Sequence, residues 1–533
     1  MESKKGNNIP LILENILFFV IILYKTCDMV YSKATLDKDN LWHYLMGRDI
    51  AMTGRISTEN MYSWIEGTKW NQQEWLFDVF LYNLVKTFGT AGYILLYALT
   101  IITVIYLGYR FSKTRIRAKW MYIVYSILVL THFSTNRANR PAYFSTLLLP
   151  CLLILFDKPE KGLKMTAGKA ALFLSAGIFV SNFHCGQGIM ILAFLGLKFI
   201  ADVAYIKIYE ADKQERVSSY IRVKALYPIM FLIGLCINVC GTSQLSNMLC
   251  TMNMASTSQI SEWMPAKVKF YREAIMRILI AISFGHAIGI FLRKKKERVN
   301  ELETVEGLNI PVYTHSMQKT FTDTVLICAA YILATKSVKA NIILIYMLIM
   351  IWYPYFEEMV MDFVSSVKNG RRYFPEFRVA KPVFAAGVIA GILAAIIMKT
   401  GGDNSFEAYV KLEQDKVYDE EIIDYLKDNP SRLIHGYSNS NLLMWNGIKV
   451  CMDTRQQPYV KENGYTQILD DIFSLITRVP AKEKVKEIID KYNAEAVLCS
   501  KDLPLSWYFE QDPDFTLAIE DTKGNQIWIR KDR

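Results

Sequence analysis

The sequence predicts a polytopic α-helical membrane protein of about eleven spans, carrying a C-terminal extracytoplasmic α/β domain. Three observations lead there. Apolar runs of membrane-spanning length recur from residue 10 to residue 399. The short connectors between them alternate between strongly and weakly basic. After residue 402 the chain turns polar, mixed in charge, and alternates helical with strand-like patterns. Hydrophobic residues make up 52% of the 533, and charged ones only 21%, which sets the chain apart from a soluble multidomain protein.

The spans are expected at 10–32, 90–111, 119–135, 141–156, 168–183, 185–206, 225–243, 271–292, 320–335, 339–362 and 381–399. The start MESKKGNN leads into an apolar run without a small-residue cleavage site, so it reads as an uncleaved first span. Lys and Arg concentrate in MESKK, SKTRIRAK, DKPEKGLKMTAGK, the 207–224 connector, RKKKERVNE and the 367–381 connector. Eleven spans place all of these on the cytoplasmic side of a plasma (inner) membrane, with the N-terminus inside. Residues 33–89 then form a first outer loop, and 402–533 a soluble outer domain. Residues 75–88 begin polar and carry Leu76, Phe77, Phe80, Leu81 and Leu84 at helical spacing, the pattern of an interfacial helix. A twelfth span there would reverse every orientation downstream.

The net charge of +10 lies largely in these cytoplasmic connectors, so it reports topology and excludes a nucleic-acid partner. Nine cysteines are scattered, mostly within apolar segments and without a CxxC pair. They read as small buried residues, and no zinc spacing is present.

With this topology the unusual polar residues gather at one face. The first outer loop holds Asp37, Asp39, His43, Arg48, Asp49, Arg55 and Glu74. The turn NRANRP holds Arg137 and Arg140, SNFHCG holds Asn182 and His184, SEWMP holds Glu262 and Trp263, and the turn after the ninth span holds Lys336 and Lys339. Ionisable groups at membrane depth are costly and are a functional signal. Taken singly each has a plainer reading: Asp39 and His43 as a helical i, i+4 pair, the arginines as snorkelling side chains, Asn182 and His184 as a satisfied turn, Trp263 as an interfacial anchor. Together they combine carboxylates able to take a proton with cations able to hold a phosphate.

The stretch DKDNLWHYLMGRDIAMTGRISTENMYSWIEGTKWNQQEWLFDV resembles the first outer loop of a bacterial family of multispanning proteins described as GT-C-like. That family is related to protein O-mannosyltransferases and the lipid A aminoarabinose transferase. The likeness continues in Arg140-Pro141, Asn182-x-His184, Asn238 before a glycine, Ser261-Glu262-Trp263, IKVCMDTRQQPY and KYNAEAVLCSKD, so it covers nearly the whole chain. It implies a GT-C-like transmembrane domain over residues 1–401. It also implies an inverting transfer of a sugar from a polyprenyl-phosphate-linked donor to an envelope glycan, lipid or protein acceptor. By position Asp39 matches the first-loop acid, with Asp37 beside it. His43 would orient that acid, touch the phosphate, or ligate a divalent cation (Mg or Mn) if one is used. Arg137, Arg140, Lys336 and Lys339 are the phosphate candidates, and Glu262 is a second carboxylate. The sequence departs from the family at Lys38, where proline is usual between the acids. It departs again at Ser440-Asn441, where a Gly-Gly pair is usual, and at Thr454, where Gly is usual. Lysines also stand at 336 and 339 where arginines are more usual.

The tail is expected to run helix (DEEIIDYLKDNP), strand (RLIHGY), short helix (NLLMW), strand (KVCMD), a long helical stretch over 463–493, strand (AEAVLCS), a short helix near 504–510, and the strands TLAIED and QIWIRK. It has no phosphate loop, and Asp453, Arg455 and Tyr459, its one polar grouping of note, are expected to shape a turn. Two other function classes stay open: a transporter or flippase of lipid-linked sugar, and a non-catalytic envelope assembly protein on a GT-C frame. The chain has no internal repeat and gathers its polar groups at one face, whereas transporters usually show repeats and bind near the midplane.

Overall fold

The computed structural model describes residues 9–111, 140–158, 163–209, 213–252, 317–357, 359–360, 381–459, 466–476 and 479–531, with a few single positions between them. Among these, five helices are long and apolar enough to cross a membrane, within Asn15–Ser32, Trp75–Gly108, Cys185–Tyr209, Val338–Glu357 and Pro382–Thr400. Pro141–Asp157 is a shorter apolar helix. The expected spans 119–135 and 271–292 lie largely outside the described residues. Where one span was expected at 225–243 there are two short helices, Leu226–Leu235 and Ser243–Met252, joined through Asn238 and a left-handed Gly241. The Asn238 carboxamide bonds the Leu235 and Gly241 carbonyls and the Cys240 N–H, which closes the first helix with a polar turn.

The helices share one core. It runs from Val30 on α1 (Ile9–Lys33) and Ala34 just after it through Tyr97 and Ile101, then Phe156, Phe173, Leu195 and Phe231, to the wholly buried stretch Ile342–Tyr353. Large apolar residues such as Leu17, Ile200, Ile389 and Ile397 face outward, as they do when lipid rather than water is the solvent.

The first loop folds into α2 (Asp39–Thr53), closed by Gly54 in the left-handed conformation, and an irregular stretch leads to α3 (Trp75–Phe111). α3 is two helices joined at Gly89, whose φ of 59° and ψ of −146° suit glycine alone. Asn404, just past the last spanning helix, fills that break. Its carbonyl accepts from Thr90 N–H at 2.9 Å, its Oδ1 accepts from Ala91 N–H at 2.7 Å, and its Nδ2 donates to the Phe88 carbonyl at 2.8 Å. The half before the break, 75–88, packs on α2 and the tail, and the half after it enters the bundle.

The tail forms a four-stranded sheet in the order β1-β2-β4-β3 (Leu433–His435, Ala496–Ser500, Asn525–Arg530, Phe515–Glu520). β1 and β2 are parallel; β4 is antiparallel to both its neighbours. Successive residues point to opposite faces. Leu433, Ala496, Leu498 and Ile527 meet Trp42, Phe77 and Leu81 of the first loop, whereas Ile434, Val497 and Trp528 meet Ile472, Ile488 and Phe509. The first loop therefore completes one of the tail's two cores. Two expected tail elements differ. KVCMD does not join the sheet: Val450 bridges Ser63 of the first loop instead. The expected helix over 463–493 is two, Ile468–Ile476 and Lys482–Lys491, with Pro480 in the intervening segment, a residue that cannot donate in a helix interior.

Candidate active site

A cavity of about 660 Å³ opens where the first loop, the ends of several bundle helices and the tail meet. Asp37, Asp39, His43, Glu74, Arg140, His184, Lys336 and Lys339 all line it. These come from four separate stretches of the chain, and each had been singled out from the sequence.

Arg140 closes the acidic motif. It is the residue before the helix Pro141–Asp157, and its extended backbone turns its side chain towards α2. Its Nε and Nη2 donate to the two oxygens of Asp37, the latter at 2.8 Å, and Nη2 lies 2.7 Å from Asp39 Oδ2. Asp37 Oδ1 also accepts from Asp39 N–H at 3.1 Å, and Asp39 Oδ1 accepts from the Thr454 hydroxyl at 2.7 Å. All four carboxylate oxygens thus face a donor. A divalent cation does not fit this pair as it stands, because Arg140 already supplies the countercharge. Among the described residues no group of three or more His, Cys, Asp or Glu is arranged to hold a metal.

A second constellation lies beside the first. His43 is one turn along α2 from Asp39, on the same face. Its Nδ1 is 2.6 Å from Asp78 Oδ1, and its Nε2 is 3.3 Å from Glu74 Oε2. Glu74 Oε1 is 3.4 Å from His184 Nε2, and His184 Nδ1 accepts from Gln187 N–H at 3.2 Å. Gln72 Nε2 donates to the second oxygen of Asp78 at 3.2 Å. Gly47 makes this possible: a Cβ there would stand 2.0 Å from the Asp78 carbonyl oxygen, so only glycine lets α2 approach α3 so closely. Burial holds both imidazoles neutral, His43 well below its usual range and His184 down at about 3, with the Arg140 charge acting in the same direction on each. Burial pushes Glu74 up to about 8; Lys339 and Arg140 oppose this and Asp39 adds to it.

Tyr437, Thr454, Arg455 and Gln457 of the tail supply another wall. Arg455, Asp453 and Tyr459 are fully buried. Arg455 Nε is 2.8 Å from Asp453 Oδ1, its Nη2 donates to Asn60 Oδ1 at 2.6 Å, and the Tyr459 hydroxyl donates to Asp453 Oδ2 at 2.5 Å. The guanidinium also sits over the Trp70 ring at 5.2 Å. This network shapes the turn, as expected, and it fastens the tail to the first loop as well.

Other sequence candidates fall elsewhere. Arg48 is away from the cavity, half-exposed and 3.4 Å from Asp49. Asn182 does not line it: its Nδ2 donates to the Ile178 and Ile237 carbonyls, and its Oδ1 accepts from Trp75 Nε1 at 2.8 Å. Arg137, Glu262 and Trp263 lie outside the described residues. Sequence reasoning missed Asp78, although its place four residues after Glu74, in the first turn of the expected 75–88 helix, was a usable signal. It also missed Gln72 and Gln187, for which no local pattern exists.

No family model matches the chain, and no curated protein matches it. Solved structures of an oligosaccharyltransferase from Archaeoglobus fulgidus align along most of its length. The apo form is 11% identical, covers 94% of this chain and 70% of that chain, and gives a TM-score of 0.46. AglB in complex with an inhibitory peptide and a dolichol-phosphate is 11% identical, with coverages of 90% and 69% and a TM-score of 0.47. The complex with Zn and sulfate is 10% identical, with coverages of 96% and 73% and a TM-score of 0.44. At these values the likeness carries no argument about what this chain binds or does.

Proposed function

We propose that the protein is a GT-C-like inverting glycosyltransferase. In this reading it moves a sugar from a polyprenyl-phosphate-linked donor to an envelope glycan, lipid or protein acceptor at the outer membrane face. The observation that supports it is the convergence of Asp37, Asp39, Arg140, Lys336 and Lys339 on one cavity at the loop-and-tail end of an apolar helical bundle. The N-terminus is then cytoplasmic and the tail extracytoplasmic.

The donor phosphate lies against Lys336, Lys339 and Arg140. By competing for the guanidinium it loosens Asp39, whose other oxygen keeps the Thr454 hydroxyl. Asp39 then takes the acceptor's hydroxyl proton. The acceptor oxygen attacks the anomeric carbon opposite the phosphate, and the bond from that carbon to the phosphate oxygen breaks, its electron pair leaving on the phosphate. The three cations stabilise the charge that develops there.

The test is Asp39→Asn. The variant should still bind polyprenyl phosphate while turnover falls by about 10²-fold or more. Full glycan modification in cells expressing it would overturn the role given to Asp39. One observation favours a second reading: with both acids held by Arg140 and Thr454, the motif also suits a non-catalytic assembly protein. In that case the wild-type protein would bind carrier without transferring sugar.

A further inference from the structure

His43 joins two buried carboxylates, Asp78 at 2.6 Å on Nδ1 and Glu74 at 3.3 Å on Nε2. A neutral imidazole has one N–H and one lone pair, so such a bridge is satisfied by one proton shared between the two acids, and in two ways. In the first, Asp78 is protonated and donates to Nδ1, while Nε2–H donates to an ionised Glu74. In the second, Nδ1–H donates to an ionised Asp78, while a protonated Glu74 donates to Nε2. Moving two protons along the chain interconverts the forms, with no change in total charge.

The far side of Glu74 accommodates both. His184 Nδ1 accepts from Gln187 N–H, so its proton is on Nε2, facing Glu74 Oε1. That N–H can donate to a carboxylate oxygen and, more weakly, to the carbonyl oxygen of a neutral acid. Asp78 is also supported either way, since Gln72 donates to its second oxygen. The two forms differ in where the charge sits: on Glu74 in the cavity wall, or on Asp78, which is wholly buried behind it.

We propose that the Asp78–His43–Glu74 chain is a tautomeric proton switch that sets the charge of the cavity wall, and that an anionic phosphate ester drives it to the form with Glu74 neutral. This rests on the reading of the cavity as a phosphate site. The groups facing Glu74 are His43 from α2, Asp78 from the first turn of α3, His184 from the turn before Cys185–Tyr209, and the charges of Lys339, Arg140 and Asp39; Arg455 acts on Asp78. An ionised Glu74 among them would neutralise one of the cations that the phosphate needs. The switch withdraws that charge without taking a proton from solvent, as long as the shared proton is present. Once it is lost, both acids are ionised and the wall repels the ligand. Burial raises both carboxyls, and the Glu74 charge raises Asp78 further, so that loss falls on the alkaline side of neutrality.

The experiment measures binding of polyprenyl phosphate in nanodiscs, and of inorganic phosphate alone, by the full-length protein between pH 6.5 and pH 9.5. Wild-type affinity should be level while the shared proton is held, and should weaken by about tenfold for each pH unit beyond its loss on the alkaline side of neutrality. Glu74→Gln should stay level within about twofold. Asp78→Asn, which removes the second acid, should begin its fall at lower pH, and Lys339→Met, which removes a cation that favours ionisation, at higher pH. Binding of the lipid but not of inorganic phosphate identifies a carrier headgroup site; equal behaviour of both identifies a site for phosphate as such. A wild-type affinity that does not fall, or a Glu74→Gln profile identical to wild type, overturns the switch. If the wild-type protein binds no phosphate, the proposed donor site fails instead. The switch is then read by infrared spectroscopy, where a buried protonated-carboxyl band should disappear over the same pH range as the binding and be absent from the Glu74→Gln/Asp78→Asn double variant; a spectrum without that band overturns it.

Discussion

Replacing Arg140 by methionine tests the electrostatic logic of the acidic motif. The side chain is only 13% exposed, Asp37 is 7% exposed, and the two form a bidentate pair. Asp39, at 22%, is wetter and has Thr454 as a second partner. Removing the guanidinium leaves Asp37 as a buried anion without this countercharge. Breaking one side of such a pair costs about 3–5 kcal/mol, and most of that belongs to Asp37, because a partly wetted Asp39 is screened. The loss has a pH signature. Without Arg140 the buried carboxyl is easier to protonate, so its folded-state pKa rises above the unfolded value. Stability of the variant is therefore lost as pH rises and recovered as pH falls towards 5. Denaturant or thermal unfolding of the detergent-solubilised protein at pH 5 and pH 8 reads this directly. A double-mutant cycle with Asp37→Asn isolates the pair: the double variant should be more stable than Arg140→Met alone. A single variant within about 0.5 kcal/mol of wild type at pH 8, or additive effects in the cycle, would refute the view that Asp37 depends on Arg140.

Gly47→Ala should cost about 2–3 kcal/mol, because the added carbon meets the backbone of Asp78, which has no flexible end to move aside. It should also separate His43 from Asp78, so the pH dependence of phosphate binding should change together with the unfolding midpoint. In the tail, His435 is buried and neutral, with Nδ1 bonded to the Gly436 carbonyl and Nε2 accepting from Cys451 N–H at 3.2 Å. Burial lowers its pKa to about 4, below the unfolded value. The stability it supports is present above about pH 6.5 and is lost as pH falls towards 4, by about 3 kcal/mol in all. The protection factor of the Cys451 amide in the full-length protein should fall across that window and do so less in His435→Gln; a protection factor that ignores pH there would count against a neutral His435.

Much of the cavity was legible because topology is a parity argument. Once the basic connectors were assigned to one side, Asp39, Arg140, His184 and Lys339 had to share the other, however far apart in sequence. Phase within a helix was equally available and decides Arg48: nine residues after Asp39 is about 180° around α2, so the two cannot face one cavity, whereas His43 can. What could not be read was the docking of the tail. Asn60 with Arg455, Ser63 with Val450 and Asp39 with Thr454 are contacts between residues about four hundred positions apart. Neither partner carries a local pattern announcing the other. KVCMD illustrates the cost: its β-like composition was correct, but its partner is the first loop and not the sheet.

The residues at 38, 441 and 454, where the sequence differs from the pattern it resembles, acquire a physical sense in the same contacts. Lys38 donates to the Asn439 side chain, Asn441 Nδ2 donates to the Lys38 carbonyl at 3.0 Å and to the Thr454 hydroxyl at 2.6 Å, and Thr454 donates to Asp39 at 2.7 Å. Three positions that look like independent deviations along the chain are one hydrogen-bonded cluster in space. A glycine at 454 could not donate to Asp39, and a glycine at 441 could not orient the hydroxyl that does. The tail is thereby coupled to the acid rather than merely packed beside it. Anything that shifts the turn at 453–457 alters how tightly Asp39 is held, and the buried Arg455–Asp453–Tyr459 network is what keeps that turn fixed against the first loop.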